Sequence, residues 1–282
     1  MFRVSLAQKA LLTNMPKRAF SSLKQAPKPT GSQWTAFTMG SIGVAGLTYL
    51  SYQGRMARQN ATVMQQMHLN HPMVQERIGK TMGYFTGACG LTGAMVYALR
   101  NSQRALMMNP WLLLALSLGT MIGTQVIDYN SNFVLKNLMY GAFVGTMSVS
   151  ILPLIHMYQL PIIYDALIAS GAVTGSLGLV AYNSPSQQFL NWGGPLALGM
   201  GGLMGVSLLQ MLYPHSRALY SISLYGGLGL FSLFLMYHTG KMMENAKTKG
   251  HYDPINNSIG IYLASVNIFI SMVQILGAGK KK

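Results

Sequence analysis

Long stretches without a charged residue alternate with short polar stretches along most of the chain. Several of these stretches are long enough for helices of about 20 residues, which is the length that crosses the hydrocarbon of a membrane. The longest, between Asp165 and Arg217, is interrupted by the polar string NSPSQQ and therefore holds two helices. The pattern predicts membrane-spanning helices at Thr35–Tyr52, Thr81–Leu99, Ala105–Ile127, Leu138–His156, Pro161–Tyr182, Phe189–Tyr213, Leu219–Tyr237 and Ile259–Leu276.

Strands do not fit these stretches, because the apolar residues run on continuously instead of alternating and the runs are too long for barrel strands. Composition agrees, since 50% of the residues are hydrophobic and only 9% are charged. We therefore expect an all-α integral membrane protein. Glycines three or four residues apart, as in GSIGVAG, GYFTGACG and GGPLALGMGGLMG, predict close packing between helices.

The chain is strongly basic, with 20 Lys and Arg against 5 Asp and Glu. The cations lie at the edges of the apolar runs and not in a patch interleaved with aromatic residues, so membrane topology explains them better than nucleic-acid binding. We expect the lipid bilayer, and no nucleic acid, as a partner. The single cysteine, Cys89, excludes an internal disulfide and predicts a small packing residue.

Residues 1–31 have the composition of a mitochondrial transit peptide and a basic linker, with several Lys, Arg and Ser and no acid. Within the string RAFSS, Arg18 precedes a predicted cleavage between Phe20 and Ser21. A basic cytosolic tail is the alternative. The predicted organisation continues with an extra N-terminal transmembrane helix over 32–57, a polar loop over 58–80 and a seven-helix membrane domain over 81–282.

The distribution of cations between loops predicts that both termini lie in the mitochondrial matrix. Each side carries eight cations, so the raw counts tie, and the orientation follows from the local density of cations in short loops. The side opposite the matrix also carries four acids: Glu76, Asp128, Glu244 and Asp253. The matrix-side cations are Lys24, Lys28, Arg100, Arg104, Arg217 and Lys280 to Lys282.

Four strings carry a resemblance to a known family: MVQERIGKTMGYFTGACGLTG, PSQQFLNWGGPLALGMG, SLYGGLGLFSLFLMYHTGK and, above all, YDPINNSIGIYLASVNIFISMVQILG. They resemble the mitochondrial branch of the Bax inhibitor-1 (transmembrane Bax inhibitor motif) family, from about Met73 to the C-terminus. The resemblance implies a seven-helix bundle, preceded here by one extra span, in the mitochondrial inner membrane. It also implies roles in cristae organisation, in restraint of cytochrome c release and in calcium and proton movement, with inner-membrane proteins as partners.

The resemblance further implies two facing aspartates on the last two helices, a pair that could exchange protons for calcium. In this chain the corresponding positions are His238, in YHTG, and Ala264, in YLASVNIF. Neither carboxylate is present, so the calcium/proton leak or exchange mechanism is in doubt. His238 could act as a lone pH sensor, or it could simply interact with its helix end or the membrane interface.

Three other candidate sites have weaker signals. Asp165 is the only acid within a predicted span, where it could line an ion path or suit the start of its helix, and Asn267 could add an amide oxygen. A polar loop carries soft ligands that could bind copper(I), although methionine is abundant throughout the chain. These residues are Met64, Met67, His68, His71 and Met73.

No nucleophile, base and orienting group occur together in the sequence, so we expect neither an enzyme nor a resident cofactor. The main expectation is a structural and interaction protein of the inner membrane. A cation transporter that uses His238 and Asp165 is the alternative, and a copper-handling protein is a third possibility.

Overall fold

The computed structural model describes residues 72–184, 189–213 and 216–280. The predicted transit peptide, with Arg18, Phe20 and Ser21, lies outside these residues, as does the predicted N-terminal helix Thr35–Tyr52. Over the described ranges every regular element is a helix, which confirms the all-α prediction. The helices are α1 Pro72–Leu99, α2 Gln103–Leu106, α3 Pro110–Val126, α4 Phe133–Met157, α5 Leu160–Asn183, α6 Gly193–Leu212, α7 Arg217–Thr248 and α8 Pro254–Lys280.

Five of these helices are long and apolar enough to cross a membrane by length and composition, namely α4 to α8. Helix α3 is apolar but has only 17 residues. The predicted span Ala105–Ile127 is therefore wrong as one continuous helix. The chain breaks before Pro110 because a residue that precedes proline is disfavoured in the helical conformation. Asn109 is extended there and caps α3, accepting a hydrogen bond from the backbone N–H of Trp111 at 2.9 Å.

Two helices extend well beyond the predicted spans. Helix α1 begins at Pro72 and not at Thr81, so part of the predicted polar loop is helical. Helix α7 continues to Thr248, past the predicted end at Tyr237. Its last turns contain charged residues, but Met242, Met243 and Ala246 are completely buried there. The burial of this apolar face stabilises a helical end that the charges alone do not predict.

Helix α8 is the centre of the bundle, because buried residues on two sides of it belong to two different apolar clusters. One cluster includes Ile261, Ala264 and Ile268 and joins α8 to α1, α5 and α7. The other includes Ile259 and Tyr262 and joins α8 to α1 and α4. Helix α6, in contrast, buries a single side chain, Leu196, and lies at the perimeter.

The glycine-rich face of α1 does not pack as the sequence predicts. A methyl group added at Gly83, Gly87 or Gly90 would meet no atom within 4 Å in the described structure. Cys89 is exposed as well, so it is not the packing residue that we expected. In GGPLALGMGGLMG only part of the prediction holds, since Gly199 lies directly against the side chain of Leu230 on α7.

The two ends of the bundle differ in chemistry. At one end, which we call the Asp253 end, the start of α8 meets the starts of α1 and α4 and the ends of α3 and α7. At the other, which we call the Arg104 end, Gly277 near the end of α8 packs on Tyr158, which follows α4. Short Arg100- and Arg104-containing connections join α1 to α3 at this second end.

Candidate functional site

The side chain of His238 lies at the contact between α7 and α8. Its imidazole stacks on the ring of Phe234, with 5.9 Å between centroids, and meets the edge of Tyr237 at 5.2 Å. A methyl group on Gly260 of α8 would overlap the imidazole. The absence of a side chain at Gly260 therefore lets the two helices approach closely enough to enclose the ring.

Ala264 is one helical turn beyond Gly260 and is 2% exposed. It belongs to the same apolar cluster as Leu235 and Met236 of α7. Positions 238 and 264 thus lie along one α7–α8 interface, with an imidazole at the first and a methyl group at the second. Neither position supplies a carboxylate to this interface, so the oxygen-rich ligand set that calcium requires is missing at both positions.

Asn267 is half-buried, and its side-chain N–H donates to the carbonyl of Leu263 at 2.8 Å. The amide is thus held against the backbone of its own helix. Asp165 is exposed in the second turn of α5, near the Arg104 end. His238 contacts Gly260 of α8, whereas Gly277 lies at the Arg104 end of the same helix. The two glycines are 17 residues apart, which corresponds to about 25 Å along the helix, so His238 is far from the end at which Asp165 lies. The structure does not bring Asp165 and His238 into one site.

The proposed copper ligands fall mostly outside the described residues, which include only Met73. Met73 is 54% exposed in the first turn of α1. Within the part of the chain that the structure describes, no group of three or more His, Cys, Asp or Glu side chains could hold a metal ion.

A buried ion pair that the sequence analysis did not identify lies at the Asp253 end. The side chain of Lys136 is completely buried in the first turn of α4, and its ammonium contacts the carboxylate of Asp253, which is 22% exposed. The same ammonium donates to the carbonyl of Ile127 at 2.6 Å, beyond the end of α3. The lysine thereby contacts both a carboxylate and a carbonyl oxygen in the space between α3, α4 and α8.

Asp253 also organises the start of α8. Its second carboxylate oxygen accepts a hydrogen bond from the backbone N–H of Asn256 at 3.0 Å, in the manner of a helix N-cap. The side-chain N–H of Asn256 in turn donates to the carbonyl of Gln125 on α3 at 3.2 Å. Among the residues that the structure describes, the buried side-chain oxygen of Asn256 has no hydrogen-bond partner. Asp253 therefore joins α8 to α4, and Asn256 joins α8 to α3.

Arg77 of α1 holds the end of α7. Its guanidinium donates to the carbonyls of Ala246, Lys249 and Gly250 at 3.0, 2.8 and 3.2 Å. These carbonyls lie at or beyond the last turn of α7, where backbone acceptors have no partner within the helix. The guanidinium also lies 5.5 Å from the ring centroid of Tyr252. The arginine therefore caps α7 and connects it to α1.

Tyrosine hydroxyls extend the polar network inward. The hydroxyl groups of Tyr252 and Thr81 are 2.6 Å apart, and burial raises the pKa of the Tyr252 phenol. Tyr140 of α4 lies 3.1 Å from the hydroxyl of Ser258 on α8. These bonds join segments that are distant in sequence, and each supplies a partner for a polar group that would be costly to bury alone.

Part of this network had a signal in the sequence. Asp253 stands directly before Pro254 and three residues before Asn256, which is a typical N-cap followed by proline at the first helical position. The burial of Lys136 had no comparable signal, because a lone lysine at the edge of an apolar run looks like a loop cation. Its partner lies 117 residues farther along the chain.

Comparison with known proteins places these features in a family. A family model described as "Inhibitor of apoptosis-promoting Bax1" matches residues 74–281. The chain is 32% identical over 262 residues to the growth hormone-inducible transmembrane protein of Rattus norvegicus, an alignment that covers 87% of this chain and 75% of that protein. An uncharacterized protein of Campylobacter jejuni is 26% identical over 171 residues, or 59% and 71% of the two chains.

Proposed function

Because the chain belongs to the Bax inhibitor-1 family, as the family match and the rat relative show, we propose a function in the mitochondrial inner membrane. The chain is a multi-pass membrane protein. In our proposal both termini face the matrix, and the protein supports cristae organisation and restrains the release of cytochrome c. It acts by holding inner-membrane proteins and lipid in place and not as an enzyme.

The observation that carries this proposal is the composition of the α7–α8 interface. The implied aspartate pair is replaced by His238 and Ala264, and the imidazole is enclosed against Gly260. A neutral imidazole brings no negative charge, and the methyl group of Ala264 offers no ligand, so carboxylate-based calcium exchange has no support at this interface. A packed α7–α8 interface without carboxylates suits a structural role better than a transport role.

The mitochondrial location has a separate basis in the N-terminal residues 1–31, which are rich in Lys, Arg and Ser and contain no acid. The orientation rests on the cations of the Arg104 end, among them Arg100, Arg104 and Arg217, which the positive-inside rule assigns to the matrix. Protease protection of an epitope fused to the C-terminus, in intact mitochondria and in mitoplasts, tests both statements. Digestion of the epitope in mitoplasts would contradict a matrix-facing C-terminus.

The functional test is complementation of cells that lack the protein. We expect the wild type and His238→Ala to restore cristae shape in electron micrographs and cytochrome c retention to the same extent, because the structural role does not require a titratable group at position 238. Restoration by the wild type but not by a well-folded His238→Ala protein would argue for a working imidazole and against the structural proposal.

Cation movement is tested separately in proteoliposomes with an imposed pH gradient. We expect no calcium uptake by the wild type above that of protein-free vesicles, and uptake by the double variant His238→Asp/Ala264→Asp, which restores two facing carboxylates. The single variant Ala264→Asp is the matched control. Wild-type uptake that disappears in His238→Ala would favour the alternative function, a calcium/proton leak channel or exchanger.

A further inference from the structure

A groove of about 650 Å³ lies between α3 and α4 at the Arg104 end. It exists because the chain breaks between α2 and α3, where Met107 to Asn109 are not helical, so that the two helices do not form one continuous wall. On the other side α4 contains Pro153, which lines the groove and cannot complete the hydrogen bonding of its helix. Two irregularities in sequence thus open one space on the perimeter of the bundle.

The walls of the groove are chemically apolar. Leu113 and Leu114 of α3 line it together with two serines, Ser117 and Ser150. Both serine hydroxyls donate to carbonyls of their own helices at 2.9 Å, so their donors are already used. The groove is open on one side, where Leu114 is 52% exposed. Its volume falls within the range of about 300–1,000 Å³ that is usual for ligand sites.

Cations border the groove at the end of the bundle. Arg104 lies in α2 beside Ala105 and Leu106, which both line the groove, and it is exposed. Arg100 is exposed in the same connection, where its guanidinium lies 4.3 Å from the ring centroid of Tyr97. The acid at this end, Asp165, is on α5, and α5 contributes no residue to the groove.

We propose that this groove binds a phospholipid with an anionic headgroup. One acyl chain lies against Leu113 and Leu114, and the phosphate is held by Arg100 and Arg104. An apolar groove with two exposed arginines in the chain segment beside it matches both parts of such a molecule, whereas a neutral headgroup would leave the arginines without an anionic partner. Trp111 is 70% exposed at the start of α3, where an indole suits the level of the headgroups.

The test is lipid retention by the purified full-length protein, measured by native mass spectrometry after exposure to nanodiscs of phosphatidylcholine with or without cardiolipin. We expect preferential retention of cardiolipin by the wild type. The double variant Arg100→Gln/Arg104→Gln should reduce that preference on the order of 10- to 30-fold, because one cation near an anionic membrane surface contributes a factor of about five. The matched control Lys241→Gln/Lys249→Gln removes two exposed cations from the Asp253 end and should leave retention unchanged.

A second pair of variants tests the apolar part of the groove, where the acyl chain is proposed to lie. Ser150→Trp fills the groove and should abolish retention, whereas Ser207→Trp changes an exposed serine of α6 with the same hydrogen bond to its own helix and should not. Equal retention of cardiolipin and phosphatidylcholine by the wild type would overturn the proposal. Unchanged cardiolipin retention in both Arg100→Gln/Arg104→Gln and Ser150→Trp would also overturn it. So would a measured mass showing that Ser150→Trp displaces a second copy of the chain, because the groove would then bind protein and not lipid. These outcomes do not depend on the role in cristae.

Discussion

The ion pair between Lys136 and Asp253 makes an asymmetric prediction for stability. Replacement of Asp253 by Asn removes the negative charge but keeps a good helix N-cap, so α8 can still begin at Pro254. The change leaves the ammonium of Lys136, whose side chain has no exposed surface, without an ionic partner. Breaking a buried ion pair from one side costs about 3–5 kcal/mol.

The reverse change should cost less. In Lys136→Met the carboxylate of Asp253 loses its partner, but it is 22% exposed and keeps the backbone N–H of Asn256, so water and the N-cap interaction compensate it in part. The methionine fills the volume of the lysine stem. The double variant Lys136→Met/Asp253→Asn should be more stable than Asp253→Asn alone, because no uncompensated charge remains buried.

The measurement is thermal unfolding of the full-length protein in a mild neutral detergent, followed by circular dichroism. For a chain of this size about 1 kcal/mol corresponds to roughly 2–4 °C, so Asp253→Asn should lower the midpoint by about 10 °C. Lys249→Gln, which changes an exposed cation at the same end of the bundle, is the control and should have little effect. A larger loss in Lys136→Met than in Asp253→Asn would refute the reasoning, because it would mean that the burial difference does not determine the cost.

Three further predictions concern other contacts. Gly260→Ala should destabilise the protein by about 1–3 kcal/mol, because the new methyl group overlaps the imidazole of His238. Adding His238→Ala should restore the unfolding midpoint in the double variant. A double variant without that recovery would contradict this contact. Arg77→Lys should lower the midpoint almost as far as Arg77→Met, because an ammonium cannot reach three carbonyls as the guanidinium fork does. The backbone N–H of Ser131 lowers the pKa of Asp128 below its usual value of 3.8, so this acid stabilises the fold above that pH and the contribution is lost as the pH falls through the lowered pKa. Asp128→Asn should accordingly flatten the acid limb of a plot of midpoint against pH, and an unchanged limb would exclude this contribution.

The hydropathy pattern predicts the existence of the described helices better than it predicts their ends. Charge-free intervals locate the ends of α4, α5 and α8 to within five residues, because length and apolar content alone decide whether a segment can cross a membrane. The same rule ends α7 at Tyr237, before its charged residues. It fails there because the last turns of α7 bury Met242, Met243 and Ala246 against neighbouring helices, and this tertiary contact cannot be read from one segment.

In the candidate site, too, some residues could be predicted from the sequence and others could be found only from the fold. The resemblance directs attention to positions 238 and 264, and the structure places both along the α7–α8 interface. The pair of Lys136 and Asp253 could not be found in this way, because the two residues are separated by 117 positions and each looks like a solvated loop charge when considered alone. Only the fold shows that the lysine is buried and that one aspartate serves both as its partner and as the cap of α8.

Compared with the two aspartates that the family resemblance implies, His238 and Ala264 differ in packing as well as in charge. An imidazole is wider than a carboxylate, and it fits at position 238 because Gly260 offers no side chain to the space that the ring occupies. Two carboxylates at this interface would repel each other when ionised and would favour a proton or a cation between them. An imidazole stacked on Phe234 and a methyl group at position 264 provide contacts that persist without either. The α7–α8 interface is therefore held by packing, while at the Asp253 end an ion pair joins α4 to α8 and a lysine already neutralises the acid.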